Sequence, residues 1–329
     1  MVISVCIPSV RPITLAATID SIRRQSYENW ELLVVGQGED PEIGRLVRGI
    51  GETDPRIRYL HLAERGISRA RNAGIAQAQG EVIAFIDDDC EADPDWLRVI
   101  SDCFSSDDGL GLVGGSVIAP EKPRGRLSVC PEKRVREALY DPVATPGRPP
   151  AGWDWIGANF AVRRAVFSTV GGFDECLGAG ERFAAGEDTD FKLRLERHGV
   201  RMLSTPRALV HHTYGRRFGL KAIFRHVTGY ALGNGATAAK LTLLGLPEGE
   251  GWARRERNRC LSVRSPRGLV RLPWSMVRLY LFQRAYRECL SGFHPVEGNL
   301  KPREFAGKDG STTGERPTKR AGRYFSFRL

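Results

Sequence analysis

Three consecutive aspartates, Asp87, Asp88 and Asp89, are the part of this sequence that says most about chemistry. They directly follow the apolar run 82–86, which has the length of a buried strand. Adjacent carboxylates repel one another, and burial of an unpaired ion is costly. A divalent cation removes this conflict, and oxygen donors suit Mg²⁺ or Mn²⁺ held together with substrate phosphates. The alternative interpretation is a solvated acidic turn or the N-terminal cap of a helix.

A second acidic pair, Glu187-Asp188, follows Gly186 much later in the chain. Acidic side chains are favoured in the first turn of a helix, so the pair can simply mark a helix start. The functional interpretation is a general base beside a metal-bound leaving group.

Two adjacent histidines, His211 and His212, follow the apolar stretch 208–210. Neighbouring residues of a strand point to opposite faces, so we expect at most one of them to face a site. A histidine ligand would favour Mn²⁺ over Mg²⁺, whereas a hydrogen-bonded structural imidazole is the alternative.

Arginines at 69 and 71 begin a helical stretch just before the acidic strand. A guanidinium fork matches the oxygens of a diphosphate or the edge of a base, and a helix N-terminus adds affinity for anions. Solvated arginines on a helix surface are the alternative interpretation.

Strands alternate with helices around these residues, which predicts a mostly parallel sheet covered on both faces. Ligands of such sheets bind beyond the carboxyl ends of the strands, here at 36–40 and 87–89. The proline-rich segment 120–150 is expected to be a long surface loop. The predicted strands are 2–7, 32–35, 57–62, 82–86 and 159–162, and the predicted helices are 13–26, 66–79, 218–246 and one after Asp188.

Composition excludes several classes of protein. The chain has 329 residues, 41% of them hydrophobic and 27% charged, which is typical of a globular protein and not of a disordered or fibrous one. No window holds 18 consecutive apolar residues, and the N-terminus has the pattern of a strand and not of a signal peptide. The seven cysteines contain no C-x-x-C pair, so we expect no disulfide framework or zinc ribbon, and a reducing cytosol.

Charge divides the chain into two parts. Residues 1–213 carry a net charge of −5 and residues 214–329 a net charge of +15. Acidic partners for the basic part include nucleic acid, an anionic membrane surface or a phosphorylated substrate.

Eight short motifs, in order along the chain, resemble those of the family 2 glycosyltransferases, and they cover roughly residues 2–215. The resemblance implies a GT-A fold, an α/β domain with a mostly parallel central sheet, and a nucleotide-sugar site at the carboxyl edge of the sheet. The motifs lie at 5–9, 22–27, 30–35, 70–74, 80–89, 171–175, 186–191 and 210–212.

The resemblance also implies roles for single residues. Asp188 matches the catalytic base in the E-D motif, Glu187-Asp188, of an inverting enzyme, and Asp87 and Asp89 match the carboxylates of the D-x-D motif. Asp89 and His211 match the ligands of the divalent cation, Mn²⁺ or Mg²⁺. Residues that match the nucleotide-sugar site are Pro8, Ser9, Gln37, Arg71, Asp87 and Asp88. Glu187, with Trp153 and Trp155, is assigned to the acceptor side, although either tryptophan can equally fill the core.

One departure from the family pattern concerns the donor. Acidic residues are usual where this chain has Gly36-Gln37, and Val10 replaces a frequent aromatic residue. Gln37 can still hydrogen-bond a base edge through its amide, but without a charge. The departure therefore argues against the usual uridine donor and leaves a dTDP- or GDP-sugar open.

The resemblance says little about the chain after 215. Residues 216–295 are expected to form a helical extension, in which the arginines and aromatic residues of 266–293 suit a membrane surface. Residues 296–329 are expected to be a basic, flexible tail. The overall prediction is a metal-dependent transferase of surface polysaccharide or glycolipid synthesis, cytoplasmic and peripheral on the inner face of the membrane. The alternative is a non-catalytic sugar-binding domain attached to a segment that binds nucleic acid or anionic membrane.

Overall fold

The computed structural model of the protein describes residues 1–39, 41–262 and 266–303, with backbone alone over 266–271. Of the predicted tail at 296–329, residues 304–329 lie outside the described residues, whereas residues 296–302 belong to a β-hairpin that begins at 293. The strands are β1 (Ile3–Ser9), β2 (Trp30–Gln37), β3 (Ile57–Leu62), β4 (Val82–Ile86), β5 (Glu91–Ala92), β6 (Leu110–Ile118), β7 (Ser128–Val129), β8 (Ala138–Tyr140), β9 (Asn159–Arg163), β10 (Arg201–His211), β11 (Arg217–Phe218), β12 (Phe293–Val296) and β13 (Asn299–Pro302). The helices are α1 (Pro12–Arg23), α2 (Pro41–Gly51), α3 (Ile67–Gln77), α4 (Trp96–Ser106), α5 (Val166–Val170), α6 (Glu187–Arg197), α7 (Leu220–Leu243), α8 (Pro247–Leu261) and α9 (Pro266–Gly292).

A central sheet of the order β3-β2-β1-β4-β9-β6-β10-β5 organises the first two thirds of the chain, with β8 paired to β10. Strands β1, β2, β3 and β4 are parallel, β9 runs against its neighbours β4 and β6, and β10 is parallel to β6. This arrangement confirms the predicted α/β class with a mostly parallel sheet.

Helices cover the sheet on both faces, because alternate residues of its strands are apolar on each side. One core cluster joins Val5, Leu32 and Val34 to residues of α1, α2 and α4. A second cluster joins Leu33 and Phe85 to residues of α3 and α6 on the other face. Both cores therefore brace the same strands, and the strand ends are held rigidly.

The carboxyl ends of β1, β2 and β4 meet at one edge of the sheet, since these strands are parallel and in register. The segments that leave this edge are 8–11, 37–39 and 87–90. The polar residues predicted to bind a ligand therefore converge there, as expected for ligand sites of open α/β sheets.

The helical extension packs directly against the sheet domain. A Cβ added at Gly233 of α7 would lie 2.2 Å from the carbonyl oxygen of Ala185, so the helix approaches the backbone just before Glu187 as closely as glycine permits. Gly235 has the same relation to Phe282 of α9, again at 2.2 Å. The extension thus reaches the E-D turn through backbone contact.

A buried lysine fixes this packing. The ammonium group of Lys240 in α7 lies 2.7 Å from a carboxylate oxygen of Asp174 and 2.7 Å from one of Asp190, and all three side chains are almost fully buried. The amide of Leu300, in the β12–β13 hairpin, also donates to Asp174 at 2.8 Å. Within the described ranges, none of the helices is both long and apolar enough to cross a bilayer.

Candidate active site

A cleft of about 400 Å³ opens at the carboxyl edge of the sheet. Its walls include the three aspartates, the E-D turn and the loop after β1. Arg217, His226 and Tyr230, which follow residue 215, also line it. The extension therefore contributes to the cleft.

Asp88 is held by the loop after β1. Its carboxylate accepts hydrogen bonds from the Ser9 hydroxyl at 2.9 Å, the Val10 amide at 3.1 Å and the Arg11 guanidinium at 2.6 Å. Because both oxygens already have partners, Asp88 serves mainly to shape the loop that carries Ser9.

Asp89 lies between a histidine and an arginine. One carboxylate oxygen is 3.0 Å from Nε2 of His212, and the other accepts from Arg11 at 2.8 Å. Burial alone would raise the pKa of Asp89, but His212 and Arg11 outweigh it and lower the pKa to about 2. Asp89 is therefore a carboxylate across the physiological pH range.

The structure corrects the choice between the two histidines. His211 is the last residue of β10 and points to solvent, whereas His212 is buried against Asp89. The cause is the alternation of side chains along a strand, which sends neighbours to opposite sides. The histidine beside the acidic cluster is thus His212.

His212 has the orientation of a metal ligand. Its Nδ1 lies 2.9 Å from the carbonyl oxygen of Pro131, to which it can only donate. In the neutral ring this leaves the Nε2 lone pair directed at Asp89, a repulsive arrangement unless a proton or a cation lies between them. Burial disfavours the imidazolium, but the bond to Asp89 outweighs this and raises the pKa of His212.

The donor set around Asp89 therefore fits a small divalent cation. One oxygen of Asp89, Nε2 of His212 and the thiol of Cys90 lie within 4.8 Å of one another. Carboxylate and imidazole are ligands that Mn²⁺ accepts. Burial and the neighbouring carboxylates raise the pKa of the Cys90 thiol well above its usual value, so this sulfur keeps its proton.

Arg71 connects the two acidic motifs. Its buried guanidinium lies 3.2 Å from Glu187, donates to the carbonyl oxygen of Gly157 at 2.8 Å and is 3.7 Å from Asp87. Burial raises the pKa of Asp87 even though Arg71 opposes the shift. The fork of Arg71 is thus occupied by protein groups, which positions it between the D-x-D and E-D motifs.

Glu187 and Asp188 form the first turn of α6, as the helix-start interpretation predicts. Burial, and then the charge of Asp188, raise the pKa of Glu187 to about 7. Asp188 is half-buried, and its carboxylate accepts from the Thr189 amide at 2.7 Å and from the Gly157 amide at 3.3 Å. These contacts fix its direction while leaving it on the cleft wall.

The predicted nucleotide end of the site is also in the cleft. Pro8 and Gln37 line it. The side-chain oxygen of Gln37 accepts from the Gly66 amide at 2.7 Å, which leaves the amide NH₂ of Gln37 as a donor.

The two tryptophans assigned to the acceptor side are core residues. Trp153 is 7% and Trp155 1% exposed, and Trp155 packs on Phe160 with ring centroids 4.8 Å apart. A sugar ring needs an open indole face, which neither offers. Of the two interpretations, core filling is the one that the structure supports.

Sequence reasoning missed Arg11 and two cleft residues of the extension, His226 and Tyr230. Arg11 follows Ser9 in a loop whose path is set by Asp88, so only the fold shows that its guanidinium reaches both Asp88 and Asp89. Tyr230 and His226 lie one helical turn apart on α7, a spacing that signals a shared face but not what the face meets.

Comparison with known proteins agrees with this geometry. The model of a family described as glycosyl transferase family 2 matches residues 4–171. Glucosyl-dolichyl phosphate glucuronosyltransferase of Haloferax volcanii is 29% identical over 210 residues, 60% of this chain and 64% of that protein. The uncharacterized glycosyltransferase EpsJ of Bacillus subtilis is 30% identical over 61% of this chain and 57% of its own length. The chain thus spans somewhat less than two thirds of these relatives.

Two solved structures share the fold. The mannosyltransferase PcManGT from Pyrobaculum calidifontis, in complex with GDP-Man and Mn²⁺, has a TM-score of 0.52 at 17% identity, over 88% of this chain and 73% of that one. TarS 1-349 of S. aureus has a TM-score of 0.57 at 13% identity, over 92% of this chain and 96% of that one. These similarities confirm the predicted GT-A fold.

Proposed function

We propose that this chain, which belongs to glycosyl transferase family 2, moves a sugar from a nucleoside-diphosphate donor to an acceptor hydroxyl with inversion at the anomeric carbon. The observation that carries the proposal is the bridge of Arg71 between Asp87 and Glu187 inside one cleft. This bridge holds Asp87 of the acidic cluster close to Glu187, the neighbour of Asp188, in the wall of the same cleft. The residues beside the leaving diphosphate and the base Asp188 can therefore serve the same sugar transfer.

Asp89 and His212 are the residues that would hold Mn²⁺ or Mg²⁺. Such an ion supplies positive charge to the diphosphate as it departs. Support comes from the orientation of His212 by Pro131 and from the Mn²⁺ named with the mannosyltransferase that shares the fold. Arg11, 45% exposed and in contact with both Asp88 and Asp89, is close enough to add a second positive group at the same phosphates.

Asp188 is proposed to accept the proton of the acceptor hydroxyl. Its place in the first turn of α6 puts the carboxylate at the positive end of the helix, and the amides of Thr189 and Gly157 hold its direction. Glu187 lies beside it at the acceptor end. Attack from the side of Asp188, opposite the departing diphosphate, inverts the anomeric centre.

The donor end is proposed to lie over Pro8, Ser9 and Gln37. Since Gln37 presents an amide and no charge, a donor with thymine or guanine is favoured over the usual donor with uracil. The acceptor is a glycan or a lipid-linked glycan of surface polysaccharide or glycolipid synthesis. Relatives named for glucosyl-dolichyl phosphate and for O-antigen biosynthesis support this class.

A panel of nucleotide sugars tests the proposal. Ligand binding to the native state raises the melting temperature by mass action, so one donor should stabilise the chain in the presence of Mn²⁺ and less with a chelator. The same donor should release its nucleoside diphosphate when acceptor is added. No stabilisation by any nucleotide sugar, with or without metal, would overturn the proposal.

A further inference from the structure

An apolar strip of exposed side chains lies mostly on segments that also supply residues of the cleft wall. We define it as Leu127, Phe218, Leu220, Phe224 and Trp274, and these residues are between 42% and 63% exposed. A soluble surface rarely collects so many large apolar side chains in one place. The strip is therefore a second surface, besides the cleft, that we expect to bind a partner.

Specific contacts make the strip continuous. The amide of Gly219 donates to the carbonyl oxygen of Leu127 at 2.9 Å, which brings Leu127 beside Phe218 and Leu220. Leu220 and Phe224 are one turn apart on α7. The ring of Phe224 lies 5.8 Å from that of Trp274 on α9.

Cations surround the strip. Segments 121–127 and 214–230, which carry four of its five residues, contain seven Lys and Arg and one acidic residue, Glu121. The guanidinium of Arg126 stacks 4.4 Å from the ring centroid of Phe218. Exposed aromatic and aliphatic groups within a basic field are the signature of a surface that lies in the headgroup layer of an anionic bilayer.

The same short segments also reach the cleft. Arg217 precedes Phe218, and His226 and Tyr230 follow Phe224, and all three line the cleft. A molecule with its tail in a bilayer at the strip would therefore have its polar head near the segments that also supply the cleft wall.

We propose that this strip docks the protein on an anionic lipid bilayer and that the acceptor is lipid-linked, entering the cleft from that bilayer. The statement about the acceptor rests on the proposed function, whereas docking itself does not. A second copy of this chain fits the strip less well, because two such basic fields repel. Nucleic acid would use the cations but would leave the aliphatic side chains without a partner.

Vesicle sedimentation with the full chain tests the docking. We expect binding to vesicles of equimolar phosphatidylcholine and phosphatidylglycerol, weakened by salt, and much less binding to phosphatidylcholine alone. L220D/F224D should bind these vesicles at least tenfold more weakly. K221E/R225E should also lose affinity, by on the order of fivefold or more for each cation removed.

A matched control is L139D/V143D, which also places charges at two exposed apolar residues. Residues 138–140 pair with the start of β10, at the opposite end of that strand from His212, so this variant should bind like the native chain. Circular dichroism would verify that each variant is folded. Failure of the native chain to bind anionic vesicles, or equal binding by L220D/F224D, would overturn the docking.

The acceptor has its own measurement. Sugar transfer to a lipid-linked acceptor in anionic vesicles should fall in L220D/F224D. Transfer to a short water-soluble acceptor, measured as release of nucleoside diphosphate, should stay as in the native chain. Docking without any sugar transfer would reject the proposed function and leave the membrane surface standing. An equal loss with both acceptors would reject the lipid-linked acceptor.

Discussion

Asp174 and Asp190 share the ammonium group of Lys240, whereas Asp88 and Asp89 share the guanidinium of Arg11. Lys240 is 1% exposed, and the carboxylates of Asp174 and Asp190 are buried with it, so this cation is part of the core. Arg11 is 45% exposed and meets its partners from the cleft. The buried cation Lys240 therefore indicates a structural cluster, whereas the accessible cation Arg11 indicates a cluster that is able to receive a ligand.

Two carboxylates of helix α6 show the same contrast. Burial raises the pKa of Glu187, which faces the cleft, because Arg71 compensates it only in part. Burial has the same effect on Asp190, but Lys240 and Arg194 outweigh it and lower that pKa. Within one helix turn, the carboxylate of Glu187 on the cleft side is therefore only partly neutralised, whereas the carboxylate of Asp190 on the core side is fully neutralised.

The strongest test of the contrast is Asp188→Asn. Loss of a general base lowers the rate of transfer by about 10²–10⁴. Donor binding, followed by thermal shift, should persist because Asn keeps the shape of the side chain. Native rates of transfer in this variant would remove Asp188 from its role and leave the cleft side without a base.

Lys240→Met should act on stability instead. Removal of the ammonium group leaves Asp174 buried without a cation and Asp190 with Arg194 alone, which costs about 3–5 kcal/mol in the free energy of unfolding. Urea denaturation measures this loss. The double variant K240M/D174N, which removes the carboxylate left without a cation and keeps Asp190 paired with Arg194, should regain most of it, and a loss in K240M below about 1 kcal/mol would contradict the structural role.

The histidine pair sharpens the description of the cleft cluster. His212→Ala should weaken Mn²⁺ binding by about tenfold or more, because the imidazole is beside Asp89. His211→Ala is the matched control and should bind Mn²⁺ like the native chain. Titration followed by electron paramagnetic resonance measures both, and equal losses would show that the cation binds elsewhere.

The smallest expected effect is a pH dependence that belongs to Glu187. Its pKa is about 7 in the fold and about 4.3 in an unfolded chain. Folding favours the protonated form of Glu187. Its contribution to the free energy of unfolding is therefore complete below about pH 4, and it is lost by about 1 kcal/mol per pH unit as the pH rises to 7. Glu187→Gln should remove this slope in urea denaturation, whereas Glu52→Gln, at an exposed residue, should keep it.

The sequence was most informative where local pattern and chemistry coincide. The apolar run 82–86 forms β4 with the predicted bounds, and Asp87 to Asp89 follow it into the cleft. Strand β6, in contrast, was not predicted, because Gly114 and Gly115 dilute its apolar pattern. A Cβ at Gly114 would lie 2.4 Å from the Cβ of Trp155, so the glycine is required by a partner distant in sequence.

The residues that were assigned incorrectly share one physical cause. Sequence spacing shows that His211 and His212 face opposite sides, but the inward side is decided by the pairing of β10 with β6, which includes a register shift between Thr205 and Leu209. Whether Trp153 and Trp155 are open or buried likewise depends on which elements pack over them. Arg11 reaches the aspartates only because β1 and β4 are neighbours.

Lys240 also limits how this chain can be divided or recombined. A fragment that ends near residue 215 would contain the matched family region and the three aspartates, yet Asp174 and Asp190 would lose their shared cation. Exchange of the extension between homologous enzymes would succeed only if the incoming helix carried a lysine at the position that corresponds to Lys240. The extension and the catalytic half are therefore expected to be inherited together.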